Sequence, residues 1–146
     1  MWAAISNDSK TELVHIPGNL TAVRYRVEIL QPHIMHVIDR QGELFKQDDV
    51  RPHTTRLTMD YFEQNNINVL PWPSKSPDLN PIEHLWNHLD KRVRQRQPPP
   101  QILHQVCRMW PHGWWTIPRH NVRKLIESMP RGCREVLAAH GGHSRY

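Results

Sequence analysis

Residues 71–89 read PWPSKSPDLNPIEHLWNHL. A tryptophan boxed by prolines leads through Ser-Pro-Asp-Leu-Asn-Pro into a helical pattern. Asn80 suits an N-cap, and Pro81 suits the first helical position, where its missing N–H costs nothing. Glu83 then falls at the third helical position, from which it can reach back to the Asn80 amide as in a capping box. Ile82, Leu85, Trp86, Leu89 and Val93 recur at helical spacing, so this helix is expected to dock an apolar face on a sheet with Trp86 largely buried. Glu83 lies at the flank of that face, about 100° around the helix from Ile82.

A cap near the positive end of a helix dipole is by itself a sufficient structural role for Glu83. A catalytic role needs a second carboxylate, because a bound divalent cation takes several hard oxygen ligands. The second acid lies upstream in QDDVRPHTT, residues 47–55. Asp48 ends a predicted strand over 44–48, Asp49 follows it, and 34 residues separate Asp48 from Glu83. One acid at the C-terminal end of a strand and another in the first turn of a later helix belong to the edge where open α/β sheets build their sites. Two carboxylates meeting there can hold Mg²⁺ for in-line attack on a phosphate. Side chains alternate along a strand, so only one of Asp48 and Asp49 should face such a site.

Working outward, residues 2–6 and 12–16 read as hairpin strands around Asn7-Asp8-Ser9-Lys10. Thr21 can cap a helix whose expected inner face is Val23, Val27, Leu30, Ile34, Val37 and Ile38. Asp39-Arg40-Gln41-Gly42 stops it. Thr54 or Thr55 opens a second helix with Leu57, Tyr61 and Phe62 as its apolar stripe, and 67–70 is a further strand. RVRQRQPPP, residues 92–100, is a basic helix end closed by prolines. Helical segments around 102–110 and 119–140 precede a polar tail, GGHSRY. This order of elements predicts an α/β domain, a mixed sheet with helices on its faces.

The totals narrow the function. A chain of 146 residues can bury one core. No apolar run approaches the roughly 18 residues of a membrane span, and MWAAISNDSK has neither part of a secretory signal. Cys107 and Cys133 are far apart in sequence, which fits a reducing compartment rather than a disulfide scaffold. Lys and Arg number 19 against 14 Asp and Glu, a net +5 that favours nucleic acid as partner. Arg92, Arg94 and Arg96, with Arg131 and Arg134, are candidate phosphate contacts. His53, beside the acidic strand end, is a candidate DNA contact or a helix-start residue. Trp110, Trp114 and Trp115 could stack on bases, but Ile117 nearby favours packing. His84 and His88 share a helix face, yet no third zinc ligand with recognisable spacing accompanies them.

The pair QDDVRPHTT and WPSKSPDLNPIEHLW resembles the catalytic core of a Tc/mariner-type transposase. The opening MWAAIS and the later GNLTAVRY are similar to the same family's upstream region, and the end, LIESMPRGCREVLAAHGGHSRY, to its usual C-terminus, so the resemblance covers nearly the whole of residues 1–146. It implies a ribonuclease-H-like fold lacking its first strand, with helices from about 101 to 146 as a C-terminal extension. It implies cut-and-paste DNA transposition with two Mg²⁺ or Mn²⁺ ions, DNA as partner, a homodimer, and, in a eukaryote, a nuclear location. By motif, Asp48 is the family's second catalytic and metal-binding acid, and Glu83 is its third. No residue here matches the first acid, since Asp8 and Asp39 lack its context, and no helix-turn-helix segments are recognisable. The resemblance therefore implies a transposase-derived DNA-binding and integration domain that is catalytically incomplete on its own. The alternative is a non-catalytic nucleic-acid-binding or interaction remnant of a transposon.

Overall fold

The computed structural model describes residues 1–38, 43–72 and 79–138. The expected helix stop at 39–42, the 73–78 part of the proline-rich approach and the C-terminal tail lie outside these residues. The chain divides into two compact units, Met1–Ala4 with Val14–Lys75, and Ile5–Leu13 with Ser76–Tyr146.

In the first unit, β1 (Leu44–Phe45) pairs parallel to β2 (Asn68–Val69), Leu44 opposite Asn68 and Phe45 opposite Val69. The Leu70 amide extends the pairing by donating to the Phe45 carbonyl at 2.8 Å. Both strands are shorter than expected, so Asp48 sits in the loop beyond β1 rather than at its last residue. The N-terminal hairpin also differs from two full strands. It forms isolated antiparallel bridges, Trp2 with Val14 and Ile5 with Lys10.

The helix after Thr21 shows how one proline redirects a hydrophobic face. Thr21 caps it as expected, its hydroxyl accepting from the Arg24 amide at 3.3 Å. The stretch then runs through α1 (Ala22–Arg24), a widened π-type segment Tyr25–Leu30, α2 (Gln31–His33) and a tightened 3₁₀ turn, Ile34–His36. Pro32 has no amide to give the Glu28 carbonyl four residues back, and its ring crowds that oxygen. The turn before it is widened, with the Gln31 amide reaching the Arg26 carbonyl five residues back. The buried face becomes Tyr25, Ile29, Leu30, Ile34 and Val37, while Val23 and Val27 are 60% and 54% exposed. The straight-helix expectation for those two valines is thereby corrected.

Two further helices complete this unit, α3 (Arg51–Thr54) and α4 (Arg56–Gln64). Thr55 caps α4, accepting from the Thr58 amide, and the buried Thr58 hydroxyl donates to the Pro52 carbonyl at 2.6 Å. Tyr61, Phe62 and Ile67 join the buried face of the first helix and Ala4 in one core, with Trp2, Val14, Phe45 and Val69 packed against it.

The second unit is built on α5 (Pro81–Arg94), α6 (Leu103–Trp115) and α7 (Arg119–Ala138). Leu85, Leu89 and Val93 form the buried stripe of α5, which packs on α6 and α7. Gly113 permits the close approach of α6, since a Cβ there would stand 2.5 Å from Leu89 Cδ1. Trp86 is mostly buried, short of complete burial. It stacks on both Trp110, at 5.9 Å and 16°, and Trp114, at 5.2 Å and 25°. Trp114 is fully buried, and its Nε1 donates to the Thr11 carbonyl at 2.8 Å. Lys10 caps the end of α6, its Nζ donating to the carbonyls of Trp114 and Ile117 at 2.6 and 2.8 Å. Those carbonyls lie where a helix has no further amides to offer.

Two substitutions test the corrected helix face. Ile29→Ala should cost about 2–5 kcal/mol in urea unfolding, the range for a buried aliphatic cut to alanine. Val27→Ala should stay within about 0.5 kcal/mol, as for a surface change. The reverse order would restore the straight-helix face. In the second unit, Trp114→Ala should cost about 3–5 kcal/mol by the same measurement.

Candidate functional site

Asp48 occupies the loop that leaves β1, and α3 starts three residues later. Its carboxylate is hydrogen-bonded to Nδ1 of His53. This bond, which outweighs the cost of partial burial, holds the Asp48 carboxyl below its ordinary value, and the Val50 amide adds to the shift. Asp48 is thus ionised at neutral pH and presents hard oxygen, with its side chain still 54% exposed. Asp49 is exposed beside it.

His53 is itself buried, within α3. An ionised carboxylate only accepts, so Nδ1 of His53 carries the proton it shares with Asp48. The His53 ring lies against Tyr25, with centroids 4.0 Å apart. The Tyr25 hydroxyl donates to Gln47 Oε1 at 3.1 Å, and Gln47 Nε2 donates to the His53 carbonyl at 3.0 Å. Tyr25 is wholly buried, and burial pushes its phenol well above the usual tyrosine range, with the negative charge of Asp48 adding to the shift. Asp48, Gln47, His53 and Tyr25 form one connected cluster. His53 lies in the first turn of α3, the helix-start position expected for it, and from there its ring engages Asp48. Tyr25 and Gln47 were not singled out from sequence. The signal that could have pointed to them was a histidine five residues after an acid, with a proline-started helix turn between them.

Glu83 sits in the first turn of α5, half-buried, and its amide donates to the Asn80 carbonyl at 3.0 Å. Asn80 holds the N-cap position, but its side chain makes no capping hydrogen bond. That half of the expected capping box is therefore corrected. Its ψ of 107° is extended backbone, as an N-cap requires. Trp72 of the proline-boxed stretch is held by Lys46, whose Nζ lies 4.4 Å from the ring centroid. Among the described residues, no three His, Cys, Asp or Glu side chains gather as a metal cluster. The carboxylates of Asp48 and Glu83 do match the hard-oxygen chemistry that Mg²⁺ and Mn²⁺ take.

The basic end of α5 is exposed. Arg92, Arg94 and Arg96 all face solvent, and Arg94 pairs with Asp90 at 2.6 Å, one helical turn back. Of the three tryptophans weighed for base stacking, Trp114 is core, Trp110 stacks on Trp86, and Trp115 is 58% exposed. No helix among the described residues is long and apolar enough to cross a membrane.

Asp48 in the loop after β1 and Glu83 in the first turn of α5 each stand where the sequence motifs put them, each within its own unit. The comparisons agree. A family model described as DDE superfamily endonuclease matches residues 1–102, and the chain belongs to that family, with transposases of the Tc1/mariner type as its relatives. It is 36% identical to the transposable element Tcb2 transposase of Caenorhabditis briggsae over 149 residues, covering 100% of this chain and 54% of that protein. It is 33% identical to the Tcb1 transposase of the same organism over 150 residues, with the same coverage. The chain spans about half the length of these curated relatives. In fold it is similar to the Mos1 transposase catalytic domain, solved with raltegravir and Mn. The TM-score is 0.73 at 22% identity, over 93% of this chain and 70% of that one.

The Asp48–His53 hydrogen bond predicts a pH signature in metal-free protein. A carboxyl held below its ordinary value of 3.8 stabilises the fold fully above that value, and the contribution is lost as pH falls through the lowered one. Asp48→Asn should therefore unfold more easily than the parent chain at pH 7. The two should converge as the pH is taken below 3.8. A gap that persists unchanged into acid would show that the carboxylate charge is not what holds the pair together.

Proposed function

We propose that this chain is the DNA-cleaving and DNA-joining portion of a Tc1/mariner-type transposase, carrying two of the acids that hold its divalent metals. The observation that carries this reading is the state of Asp48. It is ionised, half exposed, fixed by a buried histidine, and placed in the loop that leaves a parallel strand in a chain of the DDE endonuclease family. Membership of the family supports DNA transposition as the process. Solved structures of the Mos1 catalytic domain with Mn and with Mg support divalent metal use, and a Mos1 strand transfer complex supports DNA as partner.

Asp48 and Glu83 would hold the metal. When bound, such an ion supplies Lewis-acid polarisation of a phosphodiester and lowers the pKa of the attacking water. The chain's own contributions are the fixed carboxylate of Asp48, the first-turn carboxylate of Glu83, and the exposed guanidinium groups of Arg92, Arg94 and Arg96 for phosphates. Pairing with Asp90 leaves Arg94 with less net charge to offer than its neighbours. His53, being buried, serves Asp48 rather than DNA. A nuclear location in a eukaryote and pairing of two copies on DNA accompany this reading.

The 146 residues contain no match to the family's first acid, so the chain taken alone should not cleave DNA. A third carboxylate fixes the ions around the scissile phosphate, and small misplacements there are costly. The test is a Mg²⁺- or Mn²⁺-dependent cleavage assay on intact and pre-nicked terminal-repeat DNA. Cleavage by the purified chain that disappears in Glu83→Gln would contradict this part of the reading, and would mean that another acid, such as Asp49, fills the vacant role.

The second reading, a non-catalytic nucleic-acid-binding remnant, is favoured by the net +5 and the exposed arginines of α5. Both readings predict weak, sequence-independent DNA binding that falls steeply with salt, because Lys and Arg release counterions from phosphates. Replacing Arg92 and Arg96 with Gln should flatten the slope of log affinity against log salt by about 2, one unit for each phosphate that is no longer neutralised. Binding that ignores salt would count against both. Mn²⁺ binding that disappears in Asp48→Asn separates them, since a remnant has no need of the metal.

A further inference from the structure

We propose that His53 is a positioning residue for the Asp48 carboxylate, holding one of its oxygens so that the other is presented to a divalent cation. This rests on the reading of Asp48 as a metal ligand.

The geometry is specific. Nδ1 of His53 engages Oδ1 of Asp48, while more than half of the Asp48 side chain stays open to solvent. A loop carboxylate otherwise turns freely about its side-chain torsions, and that freedom must be given up when a cation binds. Securing one oxygen beforehand removes most of that cost. Outer-shell hydrogen bonds of this kind orient metal ligands and raise their affinity.

The histidine is in turn fixed on several sides. Tyr25 packs on its ring, Gln47 holds its backbone carbonyl, and Thr58 holds the carbonyl of Pro52 beside it. Nε2 of His53 is buried and, among the described residues, has no hydrogen-bond partner. A purely structural histidine would be expected to satisfy its second nitrogen, because an unpaired buried polar atom costs stability. Here the ring is committed through Nδ1 alone. Gln47 links the same frame to Tyr25, so a ring buried in the core fixes the outlook of a surface acid.

The test compares two polar replacements in the 146-residue chain. An asparagine amide nitrogen falls near the place of an imidazole Nδ1, and a glutamine amide nitrogen near that of Nε2. His53→Asn should therefore keep the hydrogen bond to Asp48, and His53→Gln should break it. Mn²⁺ binding is followed by the disappearance of the free-ion electron paramagnetic resonance signal, with urea unfolding as the control for folding. His53→Gln should weaken Mn²⁺ binding about tenfold or more, the usual range for an outer-shell partner. His53→Asn should retain most of the affinity.

If His53→Gln folds and binds Mn²⁺ as tightly as the parent chain, while Asp48→Asn does not, the positioning role is wrong and the metal-ligand reading stands. If Asp48→Asn leaves Mn²⁺ binding unchanged, the ligand reading is wrong and this inference goes with it. A metal-free arm needs no replacement of His53. In ¹⁵N-labelled protein the His53 Nδ1 proton should be slow to exchange, and its signal should vanish in Asp48→Ala, which removes the acceptor. Its absence from the parent spectrum would overturn the proposal even if both histidine variants failed to fold.

Discussion

Tyr25 is wholly buried and still carries a hydroxyl, and a buried hydroxyl must find a partner. The partner is Gln47, the residue before Asp48, and Gln47 reaches on to the backbone of His53. One requirement of the core thus fixes the loop that carries the acid. The ring of Tyr25 supplies the floor for His53, and His53 supplies the hydrogen bond that orients Asp48. A single histidine thus stands between an ordinary core residue and a candidate metal ligand.

That arrangement depends on the way the first helix is wound. In a regular helix, Val23 and Val27 would share the inner stripe with Leu30 and Ile34. The widened segment before Pro32 turns Tyr25 and Ile29 inward instead. Pro32 therefore does more than interrupt a hydrogen bond. It decides which residues meet the acidic loop. π-type turns recur at functional sites in proteins generally, and here the turn carries the residue on which the acid's support rests.

Much of this was legible in the sequence, and the limits have physical causes. The α5 helix followed from Asn80, Pro81 and the spacing of Leu85, Leu89 and Val93, all local signals. Thr21 and Thr55 were readable as caps for the same reason. The stripe of the first helix was misread because periodicity assumes a uniform turn, and Pro32 changes the turn. The hairpin was readable, but its broken ladder was not, since register is set by pairing rather than by composition. Lys10 capping α6, an interaction across 104 residues of sequence, leaves no local trace. Trp86 reads as a core residue on its own helix, but its stacking on Trp110 and Trp114 comes from another helix and is not written in its own spacing. At the candidate site the motif pair named Asp48 and Glu83. Of the support behind Asp48, His53 lay five residues away in the same motif, whereas Tyr25, which packs on it, comes from a helix more than twenty residues earlier and left no local signal.

The central proposal is that Asp48 and Glu83 are metal ligands. The most direct measurement is a crystal structure of the chain grown with Mn²⁺, with the metal located by its anomalous scattering. The account predicts a Mn²⁺ ion ligated by an Asp48 oxygen and by Glu83, with His53 still on the other Asp48 oxygen. Mn²⁺ bound through Asp49 in place of Asp48, or found at neither acid, would contradict it.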